Sequence, residues 1–371
     1  MNKLIKVVFD YQIFIRQRFG GISRVFSEVN TRLEQKDIQI AYPIIFSQNY
    51  YFENVVHTSK IAAKSKIINY VLRIVNKAYF IAYIFRNQDC NIVHATYYSS
   101  YFYHFMPHKT KYVLTVHDCT QELCSRNTLG NRRMRYLKRK AINRADAIIV
   151  PSENTKKDVI SLYKIQQAKI HVIYWGCTRK QIDMNNVHIQ LPDKYIVYVG
   201  ARNDYKNYDN FVIAMEKVCM KTPELKVVCV GAGFSKEERN NLEEHHLEEK
   251  FIQIKANDDE LGYIYENAIC FVYPSKYEGF GIPILEAFSR GCPVLLGNTS
   301  CFPEIGGDSA VYFNPYDTNE MAKCIYKILK DEKRREQLRQ LGLQRAKEFT
   351  WEKTAMDVYQ IYESLLEHPS T

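Results

Sequence analysis

The chain has 371 residues, 46% hydrophobic and 25% charged, which is enough for two domains that each bury a core. Its net charge of +10 is unevenly divided: residues 1–190 hold 29 Lys and Arg against 12 Asp and Glu, a net +17, and the remainder carries a net −7. No run approaches the roughly 18 apolar residues of a membrane span, and no secretory signal pattern opens the sequence. The basic half predicts an anionic partner: nucleic acid, a membrane surface or a phosphorylated substrate.

Cysteine usage indicates a reducing compartment. None of the ten cysteines forms a CxxC pair, and most stand in apolar surroundings. This pattern favours buried thiols over a disulfide framework or a zinc site. We therefore expect a cytoplasmic protein without a bound metal.

Strand and helix patterns alternate along the whole chain. In the first half, helical patterns such as 23–34 and 131–144 separate apolar runs that predict buried parallel strands. These runs cover 4–10, 38–45, 91–96, 111–118, 147–150 and 170–174. The second half repeats the pattern at 194–200, 225–231, 250–256, 268–274, 293–298 and 310–315. The rhythm predicts an α/β fold of two Rossmann-like, doubly wound domains facing a cleft.

The domain boundaries follow from the break in this rhythm. We expect an N-terminal domain over 1–177, a polar linker over 178–193 and a C-terminal domain over 194–350. Ligands of doubly wound sheets bind beyond the carboxyl ends of the strands. The loops that follow the strands are therefore the places to look for chemistry.

The stretch YEGFGIPILEAF, 277–288, combines several such features after a predicted strand. Gly279 and Gly281 allow close approach of a ligand, and Pro283 suits a first helical residue. The start of the helix then offers N–H groups and a positive dipole end to a phosphate. Glu286 would reach a ribose, and Glu278 would lie nearer the reacting end of the ligand. The alternative is a plain strand–turn–helix with a glutamate near its positive end.

A second candidate site follows the first strand of the second half. Arg202 and Lys206 lie close together in VGARNDYKN, 199–207, where two cations would neutralise a diphosphate. A solvated basic loop is the alternative interpretation.

Two weaker candidates lie in the first half. Gly20 and Gly21 precede a helix that we expect Ser23 to cap, and their N–H groups would face a phosphate; turn chemistry alone also explains them. His117, at the end of TVHD, would hydrogen-bond a sugar hydroxyl or serve a structural role. His94 follows another strand, where packing is the better explanation.

Together these segments resemble the retaining, nucleotide-sugar-dependent glycosyltransferases of family 4, which have the GT-B fold. The most specific element is the Glu-x7-Glu motif of EGFGIPILE, 278–286. The surrounding sequence, GGISR, VHD and VPSENTKKDV are also similar to that family, so the resemblance covers nearly the whole chain. It is greatest for the mannosyltransferase-like branch of surface-polysaccharide and lipopolysaccharide biosynthesis. In that family the final segment, 351–371, is a helix that crosses back to the N-terminal domain.

The resemblance implies roles for the charged residues. Glu286 would bind the nucleotide ribose, and Glu278 would face the donor sugar. Arg202 and Lys206 would hold the diphosphate and stabilise the leaving nucleotide. Family members commonly have a basic residue before the lysine, where this chain has Tyr205, so the assignment of Arg202 is weaker than that of Lys206.

It also implies the remaining contacts and the reaction. The backbone around Phe280, Gly281 and Ile282 would contact the β-phosphate and sugar, and His117 would bind the transferred sugar. The reaction would move a hexose, with retention and without metal or cofactor, onto a glycan or polyprenyl-linked acceptor. GDP-mannose is the first donor that the resemblance suggests, and a UDP-sugar is the alternative.

Two other functions remain at this point. A sugar phosphorylase on the same fold would use phosphate without a nucleotide. A nucleic-acid-binding protein would use the basic run RRMRYLKRKAINR, 132–144, although no recognised nucleic-acid module is present and a solvated helix face explains the run.

Residues 59–85 suggest attachment to a membrane surface. Apolar and basic residues recur there at helical spacing, as in a helix that lies on an anionic bilayer. The apolar positions are Ile61, Ile68, Leu72, Val75 and Tyr79, and the basic ones are Lys60, Lys64, Arg73 and Lys77. A domain helix whose apolar stripe faces the sheet is the alternative.

Overall fold

The computed structural model describes residues 4–34, 36–52, 66–125 and 128–367. The chain forms two compact units. The first unit comprises Met1–Gly176 together with Trp351–Thr371, and the second comprises Cys177–Thr350. Each unit is built around its own parallel sheet.

The first unit contains six described strands rich in β-branched residues; the inner ones are almost fully buried, and the edge strands β2 and β6 are partly exposed. They are β1 (Ile5–Phe9), β2 (Ile38–Ala41), β3 (Ile92–Ala95), β4 (Lys111–Thr115), β5 (Ala147–Val150) and β6 (Ile170–Val172). Its described helices are α1 (Gln12–Arg16), α2 (Gly21–Leu33), α3 (Lys66–Arg86), α4 (Thr120–Leu123), α5 (Leu129–Arg144), α6 (Glu153–Tyr163) and α14 (Trp351–Glu367).

The sheet of the first unit has the order β2-β1-β3-β4-β5-β6, with every pair parallel. The strand order reverses between β1 and β3, and doubly wound sheets bind ligands at such a switch point. Helix α14 packs on α2 and is tied to the sheet by His94, whose Nδ1 lies 2.6 Å from the Tyr362 hydroxyl. His94 thus has the packing role expected from the sequence.

The second unit repeats this plan. Its strands are β7 (Tyr195–Val199), β8 (Lys226–Val230), β9 (Phe251–Ile254), β10 (Phe271–Tyr273), β11 (Val294–Gly297) and β12 (Ala310–Phe313). Its described helices are α7 (Tyr208–Cys219), α8 (Lys236–Glu244), α9 (Asp258–Asn267), α10 (Ile282–Ser289), α11 (Phe302–Gly306), α12 (Thr318–Lys330) and α13 (Glu332–Ala346).

The sheet order of the second unit is β12-β11-β10-β7-β8-β9, again fully parallel. In terms of its own strands this is the 3-2-1-4-5-6 order of dinucleotide-binding folds, with the switch point between β7 and β10. The predicted α/β, doubly wound architecture is confirmed for both units. The observed strands are mostly shorter than predicted, because apolar residues just beyond them, such as Val116 and Ile173, are also buried.

The polar segment 178–193, expected to be a linker, belongs to the second unit and is hydrogen-bonded to its helix α9. The backbone N–H of Asp183 and the side chain of Asn186 donate to the Asp259 carboxylate at 3.2 and 2.8 Å. The N–H of His188 donates to Glu260 at 3.3 Å. The polarity of this segment therefore serves contacts with the first turn of α9.

All ten cysteines are free thiols, and seven of them are buried. Within the described ranges, no helix is both long and apolar enough to span a bilayer. The described residues likewise contain no group of three or more potential metal ligands.

Candidate functional site

The loops after β7 and β10 meet at the switch point of the second sheet. These two strands are neighbours, with Phe271 opposite Val197. The loop after β7 carries Lys206 in a short 3-10 turn, Asp204–Lys206, and the loop after β10 carries Glu278. The sheet order thus brings together two candidate residues that are 72 positions apart.

Lys206 and Glu278 form an ion pair, with Nζ 2.5 Å from Oε1. The ammonium of Lys206 also donates to the Tyr273 hydroxyl at 3.0 Å. Their side chains are 12% and 14% exposed, so the pair lies at the edge of solvent rather than inside the core. Burial alone would lower the pKa of Lys206, but the Glu278 carboxylate reverses this effect and the pKa is raised. The lysine is therefore a fixed cation at neutral pH.

Asn207 ties the loops of this site together. It adopts the left-handed conformation, with φ of +60°. Its side-chain amide donates to the carbonyl oxygens of Pro274 and Pro315 at 3.0 and 2.6 Å. It thereby joins the loops that follow β7, β10 and β12. Sequence reasoning did not identify Asn207, and its position next to Lys206 was the available signal.

The glycine-rich loop has a conformation that requires glycine at its last position. Gly281 precedes α10 with φ of +93°, a region that other L-residues rarely adopt. A Cβ there would also lie 2.9 Å from Ile284 and 3.4 Å from Phe302. Helix α10 begins at Ile282, so Pro283 is its second residue rather than its first. The first-turn N–H groups of a helix lack intrahelical partners and suit an anion.

The opposite side of the loop is held by the segment after β11. The N–H of Glu278 donates to the Ser300 hydroxyl at 3.1 Å. The buried thiol of Cys301 lies 3.3 Å from the carbonyl oxygen of Glu278 and 3.2 Å from that of Phe280. These contacts fix the backbone that presents Glu278. Neither Ser300 nor Cys301 was identified from the sequence.

Glu286 is the fifth residue of α10 and is half-buried. Burial, followed by the charge of Glu286, raises the pKa of the Tyr265 hydroxyl on α9. The two glutamates of the motif thus flank the N-terminal turn of one helix.

Arg202 is engaged differently from Lys206. Its Nε donates to Glu238 at 2.8 Å, and its Nη2 donates to the carbonyl oxygens of Ala232 and Gly233 at 2.7 and 2.9 Å. Glu238 is also the capping-box residue of α8. Among the described residues, Nη1 has no hydrogen-bond partner. The structure therefore joins Arg202 to the loop after β8 and shows no contact between it and Lys206.

In the first unit, Gly20 and Gly21 stand at the start of α2. The helix begins at Gly21, so Ser23 lies inside its first turn and the expected cap is wrong. The amide oxygen of Gln17 accepts the Ser23 N–H at 3.2 Å instead. A Cβ on Gly20 would meet the end of that Gln17 side chain, which would have to move.

His117 lies in the loop after β4 and is buried. A hydrogen bond to the backbone of Thr96 holds the ring, and Nε2 has no partner in the described part of the chain. Burial lowers the pKa of His117 to about 3, opposed by that hydrogen bond and assisted by the charge of Lys138. The imidazole is therefore neutral, and its Nε2 is buried without a hydrogen-bond partner among the described residues.

The basic run 132–144 forms most of α5. Lys138 points inward, with no exposure, while Arg132, Arg133 and Lys140 are exposed. A solvated helix face anchored by one buried lysine accounts for the run.

Comparison with known proteins agrees with this arrangement. Residues 19–179 match the model of glycosyltransferase family 4, and residues 179–345 match that of the group 1 glycosyl transferases. The chain belongs to the family 4, group 1 glycosyltransferases. The prediction made from the Glu-x7-Glu motif and its surroundings is confirmed, and neither the phosphorylase nor the nucleic-acid alternative is favoured.

Individual relatives refine the position of this glycosyltransferase. It is 29% identical to O-antigen chain mannosyltransferase B of Escherichia coli over 72% of this chain and 75% of that protein. It is 26% identical to O-antigen chain mannosyltransferase RfbU of Salmonella typhimurium over 61% of this chain and 63% of that protein. Sucrose-phosphate synthase from Thermosynechococcus elongatus superimposes with a TM-score of 0.74 at 17% identity, covering 98% of this chain and 100% of that chain. The structural likeness confirms the GT-B fold.

Proposed function

We propose that the protein is a retaining hexosyltransferase of surface-polysaccharide or lipopolysaccharide biosynthesis. It transfers mannose from GDP-mannose to a glycan or polyprenyl-linked acceptor, with a UDP-sugar as the alternative donor. The observation that carries this proposal is the contact between Lys206 and Glu278 at the switch point beside the start of α10. The names of the O-antigen mannosyltransferase relatives support mannose and this pathway class.

Each part of the site has a role in this proposal. Lys206 binds the diphosphate and stabilises charge on the departing nucleotide, because a preorganised cation lowers the energy of a developing anion. The backbone of Phe280, Gly281 and Ile282 contacts the β-phosphate. Glu286 accepts hydrogen bonds from the ribose hydroxyls, and Glu278 faces the donor sugar.

Two residues have secondary roles. Arg202 fixes the loop after β8 through Glu238 and has Nη1 left for the nucleotide. In the first unit, His117 offers Nε2 to a sugar hydroxyl. The backbone of Gly20 and Gly21 is the weakest candidate for a phosphate contact. The Gln17 side chain lies beside Gly20 and already accepts the Ser23 N–H in the first turn of α2.

The proposed reaction needs no divalent ion. The fixed charge of Lys206 and the N-terminal dipole of α10 supply the positive potential that a metal provides in other enzymes. Support comes from the raised pKa of Lys206, which keeps its ammonium protonated. Activity should survive an excess of chelator; loss on chelation and recovery with manganese or magnesium would contradict this part.

A donor screen tests the whole proposal. Release of nucleoside diphosphate is measured for GDP-mannose and UDP-sugars, with and without a polyprenyl-linked acceptor. Calorimetry on Glu286→Ala then tests the ribose assignment, with an expected loss of about 1.5–3 kcal/mol in nucleotide affinity. Glu278→Ala should instead lower turnover. Unchanged nucleotide affinity in Glu286→Ala would remove the ribose assignment.

Peripheral attachment to an anionic membrane is a further part of the proposal. Helix α3 buries Asn76, Phe80 and Ile84, whereas it exposes several large apolar side chains to solvent. The exposed ones are Ile68, Tyr70, Val71, Ile74, Tyr79 and Phe85. Arg73 and Lys77 are exposed on the same helix, so the surface complements an anionic bilayer. Of the stripe predicted from the sequence, Leu72 and Val75 are half-buried, whereas Ile61, Lys60 and Lys64 lie outside the described residues.

Vesicle sedimentation tests the attachment. Replacing Ile68, Val71 and Ile74 by serine should abolish binding to phosphatidylglycerol vesicles, because the apolar contact is lost. Leu129→Ser, which removes an exposed leucine from α5, is the matched control. Equal binding of both variants would contradict a docking role for α3.

A further inference from the structure

The switch point of the first sheet contains a basic pocket that the proposed donor site does not use. The pocket has a volume of about 140 Å³, well above the roughly 10–15 Å³ that one water needs. It lies where β1 and β3 are neighbours and where the loops after them separate. Its lining comes from those loops, α1 and α3: Tyr11, Gln12, Ile15, Arg16, Arg73, Lys77, Ser99 and Tyr101.

The charges of this pocket are of one sign. Arg16, Arg73 and Lys77 contribute three cations, and no carboxylate lines the pocket. Among the described residues, none of the three forms an ion pair; Arg16 stacks over Tyr97 at 4.3 Å, and Lys77 lies 5.5 Å from the Tyr101 ring. Three unpaired cations around one cavity are an anion-binding arrangement.

Neutral groups add hydrogen-bond donors. The Tyr101 hydroxyl is buried near that of Tyr11, but no described group meets hydrogen-bond geometry with it. Burial raises the pKa of Tyr11, and the charges of Arg16 and Arg73 oppose that rise. Both hydroxyls therefore remain protonated donors at neutral pH.

The nearby carboxylate, Asp10, does not line the pocket. It is fully buried, and the Thr96 N–H donates to it at 2.9 Å. The side chains of Thr96 and Gln12 also donate to its oxygens. The same Gln12 side chain donates to the Ser99 carbonyl oxygen at 2.8 Å, which fixes the loop on the far wall of the pocket.

A less polar groove continues from the pocket along α3. Ile15 and Arg73 line both the pocket and the groove. The groove adds the apolar Phe46 and Leu72 on part of its wall, and the polar Ser47, Gln48 and Asn69 on the rest. Beyond it lie the exposed Val71 and Ile74 of α3. Cations followed by a groove with apolar side chains on part of its wall fit a ligand with an anionic head and an apolar chain.

We propose that this pocket binds the diphosphate group of a lipid-linked acceptor, with the adjoining apolar chain lying in the groove beside α3. The proposal rests on the proposed glycosyl transfer, and it assigns the basic charge of the first unit to substrate recognition. The location agrees with the general rule that doubly wound sheets bind ligands at the switch point.

Calorimetry of the full chain with inorganic pyrophosphate tests the proposal. The pocket variant carries Arg16→Gln, Arg73→Gln and Lys77→Gln. Its matched control carries Arg132→Gln, Arg133→Gln and Lys140→Gln on α5, with the same loss of charge from exposed residues of the same unit. All proteins are also prepared with Lys206→Ala, so that pyrophosphate bound at the donor site does not contribute.

Pyrophosphate affinity should fall at least tenfold in the pocket variant and less than threefold in the control. Equal losses, or no saturable binding by the parent, would overturn the proposal. Inorganic phosphate should bind at least tenfold more weakly than pyrophosphate; equal affinities would contradict a diphosphate site. If the pocket variant lost binding to phosphatidylglycerol vesicles but kept pyrophosphate affinity, the charges would serve the bilayer, and the proposal would fail.

A separate titration with GDP and UDP keeps the two proposals apart. Failure of every protein with intact Lys206 to bind a nucleoside diphosphate would count against the glycosyl-transfer proposal, while the pyrophosphate result would still report on the pocket. The pocket variant should bind the nucleotide as the parent does.

Discussion

Lys138 in the first unit and Lys206 in the second are both shielded lysines paired with a glutamate, but their surroundings differ. Lys138 has no exposure; its ammonium donates to Glu122 at 3.0 Å and to the Asp118 carbonyl oxygen at 2.6 Å, and it lies 4.8 Å from the Tyr98 ring. Lys206 keeps 12% exposure beside a glycine loop. The first lysine is enclosed by protein groups, whereas the second reaches solvent where a ligand can meet it. The degree of enclosure thus separates a structural charge from one available for binding.

The largest expected effect follows from removing the enclosed lysine. Lys138→Met leaves the Glu122 carboxylate, itself only 6% exposed, without its counter-ion. Removal of one partner of a buried pair costs about 3–5 kcal/mol, so the free energy of unfolding should fall by that amount. Urea denaturation measures it. The double variant with Glu122→Gln should recover much of the loss, and a change below 1 kcal/mol in the single variant would contradict the structural role.

The corresponding change in the second unit should affect binding more than stability. Lys206→Met removes a charged partner of the proposed diphosphate, which is worth about 1.5–3 kcal/mol of nucleotide affinity. Calorimetry with the nucleoside diphosphate measures this loss. Lys330→Met, an exposed lysine at the end of α12, is the control. A variant that unfolds more easily but binds nucleotide normally would make Lys206 structural like Lys138.

Acid should destabilise the first unit through its buried histidines. Burial lowers the pKa of both His94 and His117 to about 3, with an ordinary value near 6.5 in the unfolded chain. As the pH falls from 6.5 towards 3, the unfolded chain takes up protons that the folded one does not, so stability is lost. Each histidine contributes up to about 1.4 kcal/mol per pH unit well inside that window.

Asp10 acts in the opposite direction. Burial raises its pKa to about 6, so the folded state binds this proton first and gains stability as the pH falls from 6 towards 3.8. Urea unfolding of His117→Gln between pH 7 and 4.5 isolates the histidine contribution. The slope of unfolding free energy against pH should be lower by up to about 1.4 kcal/mol per unit than in the parent chain. An unchanged slope would show that His117 is protonated in the folded protein.

The smallest expected effects concern one tyrosine beside each lysine pair. The Tyr163 hydroxyl donates to Glu122 at 2.5 Å, and the Tyr273 hydroxyl accepts from Lys206 at 3.0 Å. A single hydrogen bond contributes about 0.5–1.5 kcal/mol. Tyr163→Phe should lower the free energy of unfolding by that amount. Tyr273→Phe should mainly weaken nucleotide binding, because Lys206 loses the hydroxyl that helps to position it. The reverse pattern would contradict the distinction between the two lysines.

The sequence predicted the fold well because apolar runs of four to eight residues alternate with amphipathic helices in both halves. It placed Lys206 and Glu278 on loops after strands, but their contact depends on β7 and β10 being neighbours, which periodicity does not specify. Arg202 and Lys206 share one loop, yet Arg202 binds Glu238, 36 positions away on α8.

Two further structural features could not be predicted from the sequence. Lys138 sits in a run of exposed basic residues, and its burial follows from the inward direction of one helix face. Asn207 adopts a left-handed conformation and joins three loops through its side-chain hydrogen bonds, and no local sequence motif predicts this role. Such contacts between distant segments are set by the tertiary arrangement.

The return of α14 to the first unit affects how the protein is made. Val358, Ile361 and Tyr362 of α14 are buried in the first unit. In the sequence, the whole second unit lies between α14 and the rest of the first unit. At translation rates of about 5–20 residues per second, the intervening 170 or so residues take about 10–35 s to synthesise. During that interval the nascent first unit presents to the cell the apolar surface that α14 later covers. The second unit, uninterrupted in sequence, is free to fold as soon as it leaves the ribosome, so the part of the enzyme translated first is the last to be completed.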